Sequence, residues 1–287
     1  MHTNFSIYDR FIKSTPVQIK NLNDLKKYYG LNLFTNDEFK SKRLKEPDNY
    51  IELSYLMPAE SEFVTEDSWK YTINPWNFRN YWNFDDPRPK IGFFGCSFTF
   101  GEGIDTQDTF VDIVSKELDL NPFNFGTGGS GIERIARTIS AVTNLIDIEY
   151  AVITIPTWHR MLHIDEDGNL INIVPRVAHS RFKELSEKLT SFEEEFYVVR
   201  ALSYLNWIHD VLSQKNIAQR NIKFLFSSWD HPCNYLCKKI FSENTINCFP
   251  NIDNKEARDR LHPGVKSQRA HANQIIQAFY DKNWIQK

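Results

Sequence analysis

Lys90-Ile91-Gly92-Phe93-Phe94-Gly95-Cys96-Ser97-Phe98-Thr99-Phe100-Gly101-Glu102-Gly103 passes from an apolar, strand-like run through a glycine to a serine and a glycine-bracketed loop. Such a segment suits a buried parallel strand that delivers a hydroxyl to the carboxyl edge of a sheet, where open α/β folds keep their ligands. A serine hydroxyl needs a base before it can attack a carbonyl. The chain supplies one far downstream, in Asp259-Arg260-Leu261-His262-Pro263-Gly264.

Outward from 90–103, strand and helix patterns alternate. A helix is predicted over 108–118, where Phe110, Ile113, Val114 and Leu118 recur at helical spacing. A short strand follows at 122–125, then a helix over about 131–146 with Ile132, Ile135, Ala136, Ile139 and Val142 on one face. The β-branched run Ala151–Ile155 is a third strand, halted by Pro156. Asp167-Gly168 reads as a hairpin turn between 161–164 and 170–174. Helices are predicted at 181–192 and 197–215, strands at 222–226 and 245–249, and a last helix from Val265 to about Tyr280. The alternation argues for a five-stranded parallel sheet covered on both faces by helices.

Residues 1–89 have a different texture, rich in Asn, Lys, Tyr and Trp. A short helix is expected over 23–29, closed by Gly30, and Ile51–Leu56 alternates like a strand. The expectation is an accessory region, 1–89, packed on a main domain, 90–287.

Three loops at strand ends carry the chemistry. Ser97 follows the first strand. Asn124-Phe125-Gly126-Thr127-Gly128-Gly129-Ser130-Gly131 follows the second, a turn whose free N–H groups can receive a developing negative charge. Asp259 and His262 follow the fifth. Their spacing lets Asp259 accept from one imidazole nitrogen while the other faces the serine, the arrangement of a Ser–His–acid triad.

These blocks resemble those of the SGNH (GDSL-type) hydrolase superfamily. The resemblance covers about residues 90–280 and implies a flavodoxin-like three-layer α/β/α sandwich with esterase or acyltransferase chemistry. Gly95-Cys96-Ser97-Phe98-Thr99-Phe100-Gly101 matches the family's Gly-Asp-Ser block, with Cys96 in place of the aspartate. Asn124, Gly126 and Gly129 match the block that provides an oxyanion glycine, and Asp259 and His262 match Asp-x-x-His. By the resemblance Ser97 is the nucleophile, His262 the base and Asp259 its partner, with the N–H groups of Ser97 and Gly126 in the oxyanion hole. The family's third block offers an asparagine donor. Here that strand ends in Pro156-Thr157-Trp158-His159-Arg160, so Thr157 is the substitute candidate, with Trp158 and Arg160 as candidate substrate contacts. Asn77-Phe78-Arg79 is similar to the lead-in of some subgroups. The implied reaction is hydrolysis of an oxygen ester, with an O-acetyl group on a carbohydrate as the leading case. O-acyl transfer, or an inactive sandwich that binds carbohydrate, are the rivals.

Each candidate has a plainer role to weigh. Ser97 could cap a helix, and Gly126 could serve only a positive φ. Cys96 suits packing better than a reactive thiol, since it neighbours Ser97 and points elsewhere. His231, Cys233, Cys237 and Cys248 include a spacing zinc can use, but ordinary buried cysteines fit better, and no metal or cofactor is expected. Trp76, Trp82 and Trp158 could stack on a sugar or fill the core, and Arg160 could bind an anion or lie on the surface.

The chain's 287 residues and 22 Phe supply enough core for one large α/β domain with an appendage. A net charge of −3 gives no general argument for nucleic-acid binding. No signal peptide or membrane-length apolar run is visible, and the four cysteines do not form a disulfide framework, so reduced thiols and a cytoplasmic setting are expected. The sequence sets no oligomeric state.

Overall fold

The computed structural model describes residues 20–24, 41–45, 51–55, 69–76, 78–164, 170–173, 194–214, 219, 221–252, 257 and 262–286. Three strands come first, β1 (Ser41–Lys45), β2 (Ile51–Tyr55) and β3 (Trp69–Ile73), paired antiparallel in that order. β2 coincides with the alternating segment of the sequence, whereas β1 and β3 are pairings the sequence reading does not predict.

The pattern from Lys90 onward folds much as its periodicity implies. β4 (Lys90–Gly95) leads into a single-turn helix α1 (Ser97–Phe100), and α2 (Phe110–Glu117) returns to β5 (Asn121–Gly126). α3 (Ile132–Val142) connects to β6 (Tyr150–Ile155), and the hairpin β7 (Met161–Ile164) and β8 (Leu170–Ile173) follows. α4 (Glu194–Ser213) precedes β9 (Lys223–Ser228). α5 (His231–Ile240) and α6 (Val265–Asp281) complete the described helices of this part.

β4, β5, β6 and β9 form a parallel sheet in the order β5-β4-β6-β9. The chain leaves β4 to one side for β5 and then crosses to the other side for β6. Such a reversal opens a crevice at the carboxyl ends of the strands. Alternate side chains of β4 go to opposite faces, as the two-residue period of a strand requires. Ile91 and Phe93 join the core formed with α2 and α6, while Phe94 joins the core under α3, α4 and α5. With helices on both faces, the molecule is a three-layer α/β/α sandwich.

The sheet has four strands, not five. Thr245–Phe249 runs beside β9 but bonds to it only at intervals, through Ile246 N to Phe226 O (2.9 Å) and Phe249 N to Ser228 O (2.8 Å). α5 occupies the stretch that carries His231, Cys233 and Cys237. Asp230 caps it by accepting from Cys233 N (3.2 Å), and Pro232 sits in its first turn, where no N–H is needed. The predicted helix at 181–192, the Asp167-Gly168 turn and the end of the 23–29 helix lie outside the described residues; residues 22–24 are helical.

Candidate active site

α1 carries Ser97 at its first position, directly after β4. Ser97 is 3% exposed, and its carbonyl accepts from Gly101 N (2.8 Å) and Glu102 N (3.1 Å). The turn closes because Gly101 takes a left-handed conformation with φ of 81°, which glycine adopts without strain. Cys96, the residue before the serine, is fully buried, so its side chain packs inward.

Several groups fix this short helix. Arg79 is wholly buried, and its guanidinium donates to the carbonyls of Phe100 (2.6 Å), Gly101 (2.5 Å) and Ile104 (2.5 Å). It lies over the rings of Tyr71 (4.5 Å) and Phe100 (5.2 Å). Burial lowers its pKa to about 10, so it stays charged at neutral pH. Tyr71 Oη accepts from Gly103 N (2.7 Å) in the same loop. From the β5 side, Asn124 Nδ2 donates to Thr99 O (3.0 Å).

Asn124 Oδ1 also accepts from Gly126 N (2.8 Å), so the Gly126 N–H already has an intramolecular acceptor. Gly126 does not have a positive φ; Gly129 does, at 71°. What Gly126 requires is space, because a Cβ there would sit 2.3 Å from Phe100 N. Gly129, matched in the same sequence block, makes no hydrogen bond through its N–H among the described residues.

His262 lies against α1 and its following loop. Its ring meets Phe98 edge-on at 5.7 Å between centroids, and its Nε2 is 3.4 Å from Glu102 Oε2. The other oxygen of Glu102 lies over the glycine turn, 2.4 Å from where a Cβ of Gly128 would be. Serine, imidazole and glycine turn therefore gather at one edge of the sheet. No hydrogen bond joins Ser97 Oγ to His262 among the described residues, and Asp259 lies outside them.

The segment after β6 is tied down separately. Thr157 Oγ1 shares a hydrogen bond with His159 Nδ1 (3.0 Å), and His159 Nε2 faces Glu194 Oε2 (2.8 Å). Trp158 donates its indole N–H to Glu194 Oε1 (2.5 Å) and packs against the core under α3 and α4. Arg200 of α4 donates to the carbonyls of Trp158 (2.5 Å) and Arg160 (2.9 Å) and pairs with Glu133 of α3. Glu133 Oε2 accepts from Leu162 N (2.8 Å). Burial pushes the Glu133 carboxyl upward against the opposing pull of Arg200. Arg160 lies with its Cζ 5.3 Å from the centroid of the Trp229 ring.

Trp82 is 2% exposed and packs with Phe78, Phe123 and Phe125, so it is a core residue with no face for a sugar. Cys233 and Cys237 are buried on α5. Burial pushes the Cys237 thiol up to about 12, that of Cys248 up to about 11 and that of Cys233 higher still. Sequence reasoning missed Glu102, Glu133, Glu194 and Arg200. Their partners lie far along the chain in most cases, and no local spacing marks them.

No family model and no curated protein sequence matches the chain. Among solved structures it is similar to an acetyl xylan esterase (Est2A) from the rumen bacterium Butyrivibrio proteoclasticus. That match has 13% identity and a TM-score of 0.46, and covers 71% of this chain and 66%, just under two thirds, of the other. It is also similar to a family two carbohydrate esterase from Clostridium thermocellum in complex with cellohexaose, at 15% identity and a TM-score of 0.42, covering 71% of this chain and 68% of that one. A third is a putative acylhydrolase from Bacteroides fragilis, with 16% identity and a TM-score of 0.40 over 69% of this chain and 92% of that one. No described helix is long and apolar enough to cross a membrane.

Proposed function

We propose that the protein is a serine esterase of the SGNH type that hydrolyses an oxygen ester through an acyl-enzyme. Ser97 Oγ attacks the ester carbonyl while His262 takes its proton, and Asp259 orients the imidazole. The N–H of Ser97, the glycine turn and the Thr157 hydroxyl stabilise the oxyanion. His262 then protonates the leaving alcohol, and water repeats the sequence on the acyl-enzyme. Among turn donors the N–H of Gly129 is better placed to donate than that of Gly126, which is bonded to Asn124. An O-acetylated carbohydrate is the substrate class in this reading, and no cofactor takes part. Residues 1–89 are an accessory region in this reading, within which Tyr71 and Arg79 brace the loop after the nucleophile.

The observation that carries the reading is the contact of His262 with the Phe98–Glu102 segment directly after Ser97. The test is turnover of 4-nitrophenyl acetate by wild type, Ser97→Ala, Cys96→Ala and His262→Ala. Loss of about a thousandfold or more in the serine and histidine variants, with Cys96→Ala active, is expected. Equal rates in all four would end the proposal.

One observation favours a second reading, an inactive module that retains the fold for binding. His262 Nε2 faces Glu102, and Ser97 Oγ has no hydrogen bond to it among the described residues. The same experiment separates the two, since a binding module shows no serine-dependent turnover.

A further inference from the structure

Trp229 follows β9 and is stacked on Phe98, with ring centroids 5.1 Å apart and planes 12° from parallel. Phe98 is the residue next to Ser97 and meets His262 edge-on. The guanidinium of Arg160 packs on the same indole, at 5.3 Å. The Arg160 backbone lies against the far end of the glycine turn, where a Cβ on Gly131 would be 2.7 Å from Arg160 O. At the near end of that turn, Gly128 abuts Glu102, and Glu102 reaches His262. Glu102, His262, Phe98, Trp229, Arg160 and the turn 128–131 therefore close into a ring of contacts around the carboxyl ends of the parallel strands.

One side of the ring carries donors without acceptors. Arg160 Nε, Arg160 Nη1 and Trp229 Nε1 are buried and have no hydrogen-bond partner among the described residues. No carboxylate of the described residues lies within ion-pair distance of Arg160. Burying a donor without an acceptor costs roughly 1–3 kcal/mol, and more where the group is charged. The position is nonetheless built, since Arg200 holds the Arg160 carbonyl and Glu133 holds Arg200. A fixed positive charge with three unmet donors on an aromatic plate is complementary to an oxyanion-bearing group. Glu102, across the ring, repels the same group and so gives the binding a direction.

Resting on the esterase reading above, we propose that the substrate is an ester that also carries an anionic group, received by Arg160 and the Trp229 indole N–H. An acidic sugar bearing a carboxylate or a sulfate has this chemistry.

The test compares 4-acetoxybenzoate with its neutral isostere 4-acetoxybenzamide, and adds 4-acetoxyphenyl sulfate to separate carboxylate from sulfate. In wild type the anionic esters should exceed the neutral one in kcat/KM by about tenfold or more, and the ratio should fall with added salt. Arg160→Gln should bring the ratio near one, Arg160→Lys should restore part of it, and Trp229→Phe, which keeps the stack but lacks the N–H, should lower it. A wild-type ratio near one, or a ratio that Arg160→Gln leaves unchanged, overturns the proposal. If no ester is turned over, calorimetry with 4-hydroxybenzoate and 4-hydroxybenzamide decides. Arg160-dependent binding of the acid alone then keeps the anion site while the esterase reading falls, and equal or absent binding ends the anion site as well.

Discussion

Gly126 leaves no room for even one methyl group, because a Cβ would lie 2.3 Å from Phe100 N and 2.7 Å from Thr99 C, both backbone atoms. Gly126→Ala must therefore separate β5 from α1, and it should destabilise the protein by roughly 1–3 kcal/mol, read as a lower urea midpoint. An unchanged midpoint would mean that the two backbones are not in register as described. Thr157 raises a different question, that of direction. If His159 Nδ1 accepts, the hydroxyl proton points at the imidazole; if it donates, the proton is free for an oxyanion. Should Thr157 supply the third donor, Thr157→Val lowers kcat by about a hundredfold with little change in KM, and Thr157→Ser recovers most of it. A variant with kcat intact removes Thr157 from the oxyanion hole. Around α1, Gly101 was legible because it shares a block of sequence with Ser97, and Asn124 because it shares one with the glycine turn. Glu102 was not, since a lone glutamate in a glycine loop looks solvated until His262 is folded against it.

At the scale of elements, a helix of one turn cannot hold itself, because its few hydrogen bonds are outnumbered by the end groups it leaves open. α1 is held from outside by Arg79, whose donors meet three carbonyls at and beyond its end, and by Asn124 from β5. Arg79→Met removes the donors and leaves those carbonyls buried, for an expected loss of about 3 kcal/mol. Arg79→Lys should recover little, since a single ammonium does not match the fork of a guanidinium. If the bracing serves the nucleophile, a thermal-denaturation series should show esterase activity lost at temperatures where the folded signal of Arg79→Met persists. Coincident loss would assign Arg79 to stability alone. The regular elements were readable because apolar periodicity reports burial against a sheet face. Thr245–Phe249 failed as a strand for a reason periodicity does not see: Phe249 is buried against Phe98, Phe110 and His271, while the backbone bonds to β9 only at intervals. α5 was missed although Asp230 caps it and Pro232 sits in its first turn, because the His and Cys residues of His231–Ile240 drew attention to side-chain chemistry rather than to periodicity.

For the molecule as a whole, the two cores differ in how they respond to acid. The core between the sheet and α6 encloses His271, fully buried between the rings of Phe110 (4.8 Å) and Phe249 (4.4 Å), with Nε2 3.4 Å from Ser227 Oγ. Burial lowers its pKa from 6.5 to about 3, against a smaller opposing effect of the neighbouring Gln274 amide. The unfolded chain therefore binds a proton that the folded chain refuses between pH 6.5 and 3. Above that window His271 is neutral in both states and has no effect on the slope. Within it, stability falls as pH falls, by up to about 1.4 kcal/mol per pH unit from this residue. Between pH 7 and pH 5 the loss from His271 is about 2 kcal/mol. His271→Leu replaces the imidazole by an apolar group that does not titrate, whatever its cost at neutral pH. Urea unfolding of both proteins at pH 7 and pH 5 should thus show the wild type losing about 2 kcal/mol more than the variant across that interval. Parallel losses would mean that the imidazole reaches solvent in the folded state, and the close packing of α6 on the sheet would have to loosen to allow it.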